Sequence, residues 1–337
     1  MSVQAIRGGL DIAKRVFAFA AVNDREKIVI RKQLNRSEVL DFFAQLAPME
    51  ISIETCGGSH YWGRELQKLG HRVKLIHARY VTPYRRKSKN DMNDAEAICE
   101  AISRPEMNFV AVKSEEQQML LMIHRLRCQS IARRTTIINQ LHGHLHEFGY
   151  VVSKGRHKMK RELREILSSE DFPALLSELV LDLLCALHRE EERVDTYDTQ
   201  IERLAKMDSV ASKLITMEGV GALTATAVVA SVGDPSVFKN GRQFAAWLGL
   251  VPKQYSSGGK QVLRGITERG DVYLRTLLIH GARKVLLMAN KERGKHYEWI
   301  NRLRAKKPDN VVAVAFDAKQ ARMLWAVMMG KQPQQAL

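Results

Sequence analysis

Short hydrophobic runs that suit β-strands alternate with helical stretches over residues 5–110. Hairpin strands come first, in the runs AIRGGLDIAKRVFAFAAV and KIVIRKQL, and a helix is expected to begin near Ser37, whose hydroxyl can cap it. The strand MEISIET ends in Glu54, and a helix over residues 60–69 leads to the strand HRVKLI. This β-β-β-α-β-α-β order predicts a mixed sheet that opens with antiparallel strands and continues through right-handed crossovers.

Two long amphipathic helices are predicted after the sheet, over residues 114–147 and 172–207, because leucine and isoleucine recur at steps of three, four or seven residues. Such a pair favours an antiparallel coiled hairpin. From Ser209 the chain is again mainly helical, but glycine interrupts it. We therefore expect an α/β plus α protein with three domains: a sheet domain over 1–112, a helical hairpin over 113–208 and a mainly helical domain over 209–337.

The composition is that of a folded protein with excess positive charge. With 45% hydrophobic and 27% charged residues, the chain can build a core, which excludes disordered and fibrous classes. The formal net charge of +16 indicates a polyanionic partner, nucleic acid first. Charges interrupt the first 21 residues and every apolar run, so we expect neither a leader nor a membrane span, and a cytoplasmic location. The four cysteines are far apart and are interpreted as buried thiols.

Four acidic residues occupy positions that suit a metal site. Asp11 lies in the first strand among apolar neighbours, where a carboxylate is costly unless it is paired or binds a metal. Glu54 closes a strand, and α/β sheets place ligand groups at strand ends that face a crevice. Asp91 and Asp94 are three residues apart, on one face of the first turn of a helix that begins there.

Carboxylates gathered in this way would bind Mg²⁺ or Mn²⁺, and two such ions support phosphoryl transfer. We therefore interpret Asp11, Glu54, Asp91 and Asp94 as metal-binding and catalytic residues. For the last two there is a simpler alternative, in which Asp91 caps a helix and Asp94 complements its dipole.

The segments LDIAK, IET followed by GG, and SKNDMNDAEAI resemble the Asp-Glu-Asp-Asp set of the DEDD transposases of bacterial insertion sequences, the IS110/IS1111 family, also described as bridge-RNA-guided recombinases. The resemblance extends over essentially the whole chain. It implies a catalytic domain with a ribonuclease H-like fold of the Holliday-junction resolvase type. It also implies that Asp11, Glu54, Asp91 and Asp94 are the metal-binding acids.

Two glycine-containing segments distinguish the last third of the chain. MEGVGALTATAVVASVGD predicts two helices joined at Gly219 and Gly221, either a phosphate-binding helix-hairpin-helix or a plain αα-turn. VPKQYSSGGKQVLRGITERGD places Ser256 and Ser257 among basic residues, and from the residues alone it is either a phosphate-binding loop or a flexible solvated turn. The basic residues of this segment that we expect to contact nucleic acid are Lys253, Lys260 and Arg264.

The resemblance implies that a serine preceding a glycine forms a covalent link to a DNA 5′ phosphate. Alignment of the segment places that role on Ser257, and Ser256, the residue directly before it, is the alternative. The resemblance also implies double-stranded DNA, a guide RNA and a homo-oligomer, a dimer or tetramer in which the serine of one subunit meets the carboxylates of another. The basic linker between the long helices supplies further candidate nucleic-acid contacts: Lys154, Arg156, Lys158, Lys160 and Arg161.

The function we expect is Mg²⁺-dependent cleavage and rejoining of DNA by an insertion-sequence transposase, associated with the nucleoid when bound to DNA. One alternative is a junction resolvase-like nuclease that uses water as its nucleophile. The other is a helix-hairpin-helix DNA-binding protein whose nuclease layer is degenerate.

Overall fold

The computed structural model of the protein describes residues 4–85, 90–105, 107–289 and 295–331. The chain divides into two compact units, Met1–Gln118 with Ala230–Gln243, and Met119–Val229 with Phe244–Leu337. The three-domain division with limits after residues 112 and 208 stays a prediction. Among the described residues, no helix is both long and apolar enough to cross a membrane.

A six-stranded mixed sheet forms the first unit. Its strands are β1 (Arg7–Asp11), β2 (Val16–Val22), β3 (Ile28–Asn35), β4 (Glu50–Glu54), β5 (Arg72–Ile76) and β6 (Phe109–Val110). They lie in the order β3-β2-β1-β4-β5-β6. The pairs β1–β2 and β2–β3 are antiparallel, β1–β4 and β4–β5 are parallel, and β6 is antiparallel to β5. This confirms the predicted mixed sheet with antiparallel strands first.

The helices of this unit connect the strands. They are α1 (Val39–Ala44), α2 (Ser59–Lys68), α3 (Ala78–Val81) and α4 (Asp91–Ala101). A 3₁₀ turn over Arg36–Glu38 precedes α1, and it is capped by Asn35 and Glu38. The backbone N–H of Asn35 donates a hydrogen bond of 2.8 Å to a Glu38 carboxylate oxygen. The prediction that Ser37 caps this helix is wrong, because the reciprocal Asn35–Glu38 pair already satisfies the first backbone groups.

Both faces of the inner strand β2 are buried, which explains its uninterrupted run VFAFAAV. Phe17 and Phe19 point to one face, in a core with Phe43. Ala18 and Ala20 point to the other face and pack against Ala95 of α4. Since successive side chains alternate between faces, the bulky residues fill one layer while the small ones let α4 approach the sheet closely.

Long helices dominate the second unit. The helices that follow the sheet are α5 (Glu115–Glu147), α6 (Arg156–Leu167), α7 (Ala174–Met207), α8 (Ser209–Ile215), α9 (Ala222–Val232), α10 (Gly241–Trp247), α11 (Val272–Met288), α12 (Lys295–Arg304) and α13 (Asp309–Met328). Leu141 and Leu145 of α5 share a core with Leu176 and Val180 of α7. Together with an Arg127–Asp198 ion pair further along both helices, these contacts confirm the predicted antiparallel pairing of α5 and α7.

The predicted Ser-Gly loop is instead a β-hairpin. Its strands are β7 (Pro252–Ser257) and β8 (Lys260–Ile266). The turn contains Gly258 and Gly259, with φ of +56° and +79°. Two consecutive positive φ values produce the tight turn that matches the twist of a hairpin, and glycine adopts them without strain. The mainly helical third of the chain therefore carries one two-stranded sheet.

Candidate active site

Two of the four predicted acids lie side by side at the carboxyl ends of the two middle strands of the large sheet. Leu10 of β1 pairs with Ile53 of the parallel strand β4, so Asp11 and Glu54, the next residues, both lie at the carboxyl ends of neighbouring strands. Asp11 was expected within the strand, but it is the last residue of β1 and is only partly buried. Because Asp11 is partly exposed at the end of β1, its carboxylate is not enclosed in the core as the sequence suggested.

Helix α4 brings the other two acids near the carboxyl end of β1. A Cβ at Gly9 would lie 2.2 Å from the Ala95 carbonyl oxygen and 2.4 Å from the Cys99 amide nitrogen, so the backbones of β1 and α4 are nearly in contact. Asp94 is 7% exposed, one residue before Ala95, whereas Asp91 is exposed one turn earlier. The first turn of α4 therefore adjoins the end of β1.

The cap of α4 is Asn90, whose side chain accepts a hydrogen bond of 2.8 Å from the Asn93 amide. The alternative interpretation of Asp91 as the helix cap is therefore wrong. Asp91 and Asp94 do lie in the first turn, where the helix dipole favours negative charge. Neither carboxylate therefore serves as the cap of α4.

The acids influence each other's charge. The pKa of Asp11 is raised from 3.8 to about 6; burial is the largest cause, the negative charges of Asp94, Asp91 and Glu54 add to it, and Arg85 opposes them. The part of this rise that comes from the other three carboxylates requires those like charges to be near Asp11. The four side chains predicted to form one site are thus within electrostatic reach of one another.

Arg85, which sequence reasoning did not single out, is the local counter-charge. Its Nε donates to Asp94 Oδ1, and the two side chains are 24% and 10% exposed. A partly buried carboxylate needs such a partner, since desolvation penalises an unpaired charge. No sequence signal marks Arg85, because it lies nine residues before Asp94 and outside the acidic motif.

The donor set fits a divalent cation in chemistry, since all four groups are carboxylates, the ligands that Mg²⁺ prefers. Within the parts of the chain that the structure describes, however, no three His, Cys, Asp or Glu side chains are arranged closely enough to hold a metal ion. The Arg85–Asp94 ion pair is one physical reason, because it turns one carboxylate toward a guanidinium. Cation binding would thus require Asp94 to exchange this partner.

The interpretation of the cysteines as buried thiols is wrong for most of them. Cys99 is buried, Cys128 is intermediate, and Cys56 and Cys185 are exposed. Cys56 lies beside the acids, and partial desolvation of its thiol together with the charges of Asp11 and Glu54 raises its pKa, although the residue as a whole is exposed. The proximity keeps this thiol protonated, so it is a poor nucleophile.

Ser257 lies in the second unit, at the end of β7 and next to the hairpin turn. It pairs with Lys260 across the hairpin, and every residue of β7 is exposed. Ser256 points to the opposite face, where its hydroxyl accepts a 2.9 Å hydrogen bond from Gln254 Nε2. The two candidate serines therefore differ in surroundings, and Ser257 is the one next to a basic cross-strand neighbour.

The other basic residues of the hairpin are exposed as well. Lys253 lies on β7, and Arg264 on β8 stacks over the Tyr255 ring at 4.9 Å. Since exposed cations beside an aromatic ring are suited to nucleic-acid contacts, the three predicted residues of this segment remain candidates.

The two glycines between α8 and α9 have different surroundings. Gly219 has φ of +78°, and a Cβ there would lie 2.9 Å from the Gly281 carbonyl oxygen, so its role is close packing against α11. Gly221 is exposed directly before α9, with open space around its Cα. Of the two predicted phosphate contacts, Gly221 is the accessible one.

The basic linker forms α6, and its cations divide into two groups. Lys160 and Arg156 both form ion pairs with Glu191 of α7, the second at 3.5 Å. The remaining predicted residues are exposed: Lys154, Lys158 and Arg161. The first group holds α6 against the long hairpin, and the second presents charge to solvent.

Known proteins resemble nearly the whole chain. Residues 8–149 match the DEDD transposase domain of the IS110 type, described as "Transposase", and residues 211–298 match "Transposase IS116/IS110/IS902 family". A probable family 20 transposase of Pseudomonas aeruginosa is 46% identical over 96% of both chains. The transposase for insertion sequence element IS1328 of Yersinia enterocolitica is 36% identical over 95% of both chains. The transposase for IS1111A of Coxiella burnetii is 36% identical over 95% of this chain and 88% of its own.

The acid-bearing mixed sheet and these matches define a transposase, an enzyme that acts on DNA. The chain belongs to the IS110/IS1111 family of insertion-sequence transposases.

Proposed function

We propose that this transposase cleaves and rejoins DNA strands at a divalent-metal site formed by Asp11, Glu54, Asp91 and Asp94, with Ser257 as the nucleophile. The observation that supports the proposal is that Asp11 and Glu54 end neighbouring parallel strands while Asp91 and Asp94, in the first turn of α4, are near enough to raise the pKa of Asp11. The order of the sheet and its antiparallel opening support a ribonuclease H-like fold for this unit.

Metal ions at these acids, Mg²⁺ or Mn²⁺, would supply Lewis acidity that stabilises the charge developing on the transferred phosphoryl group. The four carboxylates would hold them. Without such cations the same acids would repel the DNA backbone, because phosphates and carboxylates carry the same charge.

Ser257 would attack a backbone phosphorus through its Oγ. The Oγ–P bond forms as the P–O3′ bond breaks, the serine proton passes to water, and the departing 3′ oxygen takes up a proton. Rejoining reverses the step, since a 3′ hydroxyl attacks the phosphoserine and the serine oxygen is reprotonated. One phosphodiester is exchanged for another ester of similar energy, so the reaction needs no nucleotide cofactor.

Exposed cations would hold the polyanionic partners. On the hairpin these are Lys253, Lys260 and Arg264, and on the linker Lys154, Lys158 and Arg161. We propose double-stranded donor and target DNA and a guide RNA as the partners, with base pairing supplying the choice of site. The acting species would be a homo-oligomer in the cytoplasm, associated with the nucleoid through its DNA.

The test is denaturing electrophoresis after incubation with Mg²⁺, labelled DNA and co-expressed RNA. We expect a DNA-linked protein band with wild type and with Ser256→Ala, and none with Ser257→Ala or Asp11→Asn. Cleavage by Ser257→Ala without any adduct would indicate water as the nucleophile and overturn the serine step. Strand cleavage by Asp11→Asn at the wild-type rate would overturn the acidic site.

A further inference from the structure

A cleft of about 630 Å³ opens on the sheet unit beside the acids. It lies between the β1–β2 turn, the segment after β3 and the first turn of α2. Its principal lining residues are Lys14, Arg15, Arg36, Leu40, Tyr61 and Trp62. Among the described residues that line it, none is acidic, and none of its three cations forms a described ion pair. The lining of the cleft is therefore positively charged.

The walls of the cleft are held in place by backbone and ring contacts. The Arg36 amide donates to the Arg15 carbonyl oxygen over 2.8 Å, which ties the β1–β2 turn to the end of β3. Trp62 is 4% exposed, packs edge-on against Phe17 at 5.0 Å, and carries the Arg36 guanidinium over its ring at 5.0 Å. Its rigid indole thus fixes one wall of the cleft.

Tyr61 is the exposed aromatic residue of this cleft. Its side chain packs against Trp62 with ring centroids 5.2 Å apart, yet the residue is 41% exposed. A tyrosine that is held by a buried neighbour and open to solvent can stack on a planar ligand at little cost in conformational entropy. Cations around such a ring are the combination found where proteins bind single nucleic-acid strands.

The cleft and the acids lie at the same end of the sheet, where β1 and β4 terminate. Lys14 and Arg15 follow Asp11 by three and four residues. Gly58, in the turn between Glu54 and α2, approaches both sides: a Cβ there would lie 3.8 Å from Trp62 and 4.0 Å from Ile12. A strand that passes the carboxylates would therefore continue into the cleft.

We propose that this cleft binds one unpaired nucleotide of a single DNA or RNA strand, with its base on Tyr61 and its phosphates on Lys14, Arg15 and Arg36. The inference rests on the proposed function, because it assumes that the strand beside the cleft is the one the acids act on. The cations compensate the repulsion between that strand and the carboxylates.

Binding can be tested without chemistry, in EDTA, with the full-length protein. The probes are short single-stranded oligothymidylate and oligouridylate, each with one 2-aminopurine, whose fluorescence is quenched when the base stacks. Tyr61→Ala is expected to lose the quenching and to bind about tenfold more weakly, while Tyr61→Phe keeps both, since stacking needs the ring and not the hydroxyl. Arg36→Ala is expected to weaken binding and to lower the salt slope by about one.

Lys27→Ala is the matched control, because Lys27 is an exposed cation in the β2–β3 turn, at the opposite end of the strands from the cleft. It should bind like wild type, and thermal melting of every variant reports on folding. Unchanged quenching and affinity in folded Tyr61→Ala, or equal losses in Lys27→Ala and Arg36→Ala, would overturn the cleft. Neither result touches the acidic site, whose test is cleavage by Asp11→Asn. Preference for the thymidylate or the uridylate probe identifies the bound strand as DNA or RNA.

Discussion

Gly9 of β1 lies directly beneath Ala95 of α4, so close that a Cβ on Gly9 would come within 2.2 Å of the Ala95 carbonyl oxygen. The Ala95 carbonyl oxygen and the Cys99 amide nitrogen, which would lie 2.4 Å from the same Cβ, are backbone atoms. They cannot rotate away as a side chain could. This contact sets the height of α4 above the sheet, and with it the distance from Asp91 and Asp94 to the end of β1.

Gly9→Ala should force α4 away from β1. We expect a loss of about 1–3 kcal/mol in the free energy of unfolding, as for other overpacked cores, and loss of DNA cleavage. Gly143→Ala is the control, since Gly143 lies in α5 with nothing within 4 Å of its Cβ position and should gain about 0.5–1 kcal/mol. Denaturant unfolding measures both, and wild-type stability with full cleavage in Gly9→Ala would disprove the role of the contact.

Asp11→Asn should abolish cleavage while stabilising the fold at neutral pH. Because the folded-state pKa of Asp11 is raised from 3.8 to about 6, the native state binds the proton more tightly than the unfolded chain. Stability from this group therefore declines as pH rises from about 4 to 6, and the full penalty is present above 6.

Allowing for solvent screening of a partly exposed group, we expect Asp11→Asn to gain ~1 kcal/mol at pH 7.5 and to gain nothing below pH 4. Melting temperatures across this pH range measure the effect. Asp41→Asn, at an exposed position of α1, is the control. A variant that loses stability at pH 7.5 would contradict the raised pKa of Asp11, to which burial and the neighbouring acids both contribute.

Arg85→Ala should leave Asp94 without its counter-charge. We expect the protein in EDTA to lose about 1–3 kcal/mol, because a partly buried carboxylate then lacks a partner. Mg²⁺ should restore much of this loss and should raise the melting temperature of Arg85→Ala more than that of wild type. Arg25→Ala, on the exposed β2–β3 turn, should respond to Mg²⁺ as wild type does. An equal Mg²⁺ effect in all three proteins would show that the cation does not bind at Asp94.

His124 is the centre of a buried polar chain in the second unit. It is 1% exposed, and its Nδ1 lies 2.9 Å from the Tyr273 hydroxyl. Its Nε2 lies 3.0 Å from Thr226 Oγ1, which itself donates to the Ala222 carbonyl oxygen over 2.7 Å. Thr226 must therefore accept from Nε2–H, and Tyr273 donates to Nδ1, so the imidazole is neutral.

Burial lowers the pKa of His124 from 6.5 to about 4. The unfolded state then binds the proton more readily, so the stability that His124 contributes is complete above pH 6.5 and is lost as the pH falls toward 4. We expect this loss to be roughly 3 kcal/mol in wild type. The melting temperature of His124→Gln should fall less steeply than that of wild type as the pH drops from 6.5 to 4. Tyr273→Phe should lose about 1–3 kcal/mol of stability at every pH, because Nδ1 of His124 is left unpaired. An equally steep fall in His124→Gln and wild type would contradict the assignment.

The cations of α6 should differ in how much each contributes to nucleic-acid binding. Lys158→Ala and Arg161→Ala remove exposed charges and should each lower the salt slope of binding by about one. Lys160→Ala removes a residue paired with Glu191, so we expect a smaller change in the slope and a loss of stability instead. Binding isotherms at several salt concentrations and thermal melting of the same variants check the division. Equal slopes in all three would show that the ion pair does not withhold Lys160 from nucleic acid.

Local patterns were sufficient for most of the elements and for the positions of the four acids on them. The run VFAFAAV and the strand ending in Glu54 show their periodicity within a few residues, and the long helices show theirs over many turns. The role proposed for Ser257 rests on a resemblance, and its place on a hairpin was not expected, because Ser-Ser-Gly-Gly suits a flexible turn as well as a tight one.

The chain order alone determined that Asp11 and Glu54 end strands or lie within them, and that Asp91 and Asp94 share a helical turn. Their convergence depends on the parallel pairing of β1 with β4 and on the contact between Gly9 and Ala95, which join residues far apart in the chain. Arg85 and the Tyr61–Trp62 wall likewise acquire their roles through packing. Periodicity reports which face of an element is buried, but the partner that covers that face is set by long-range packing, and so are the charges that meet there.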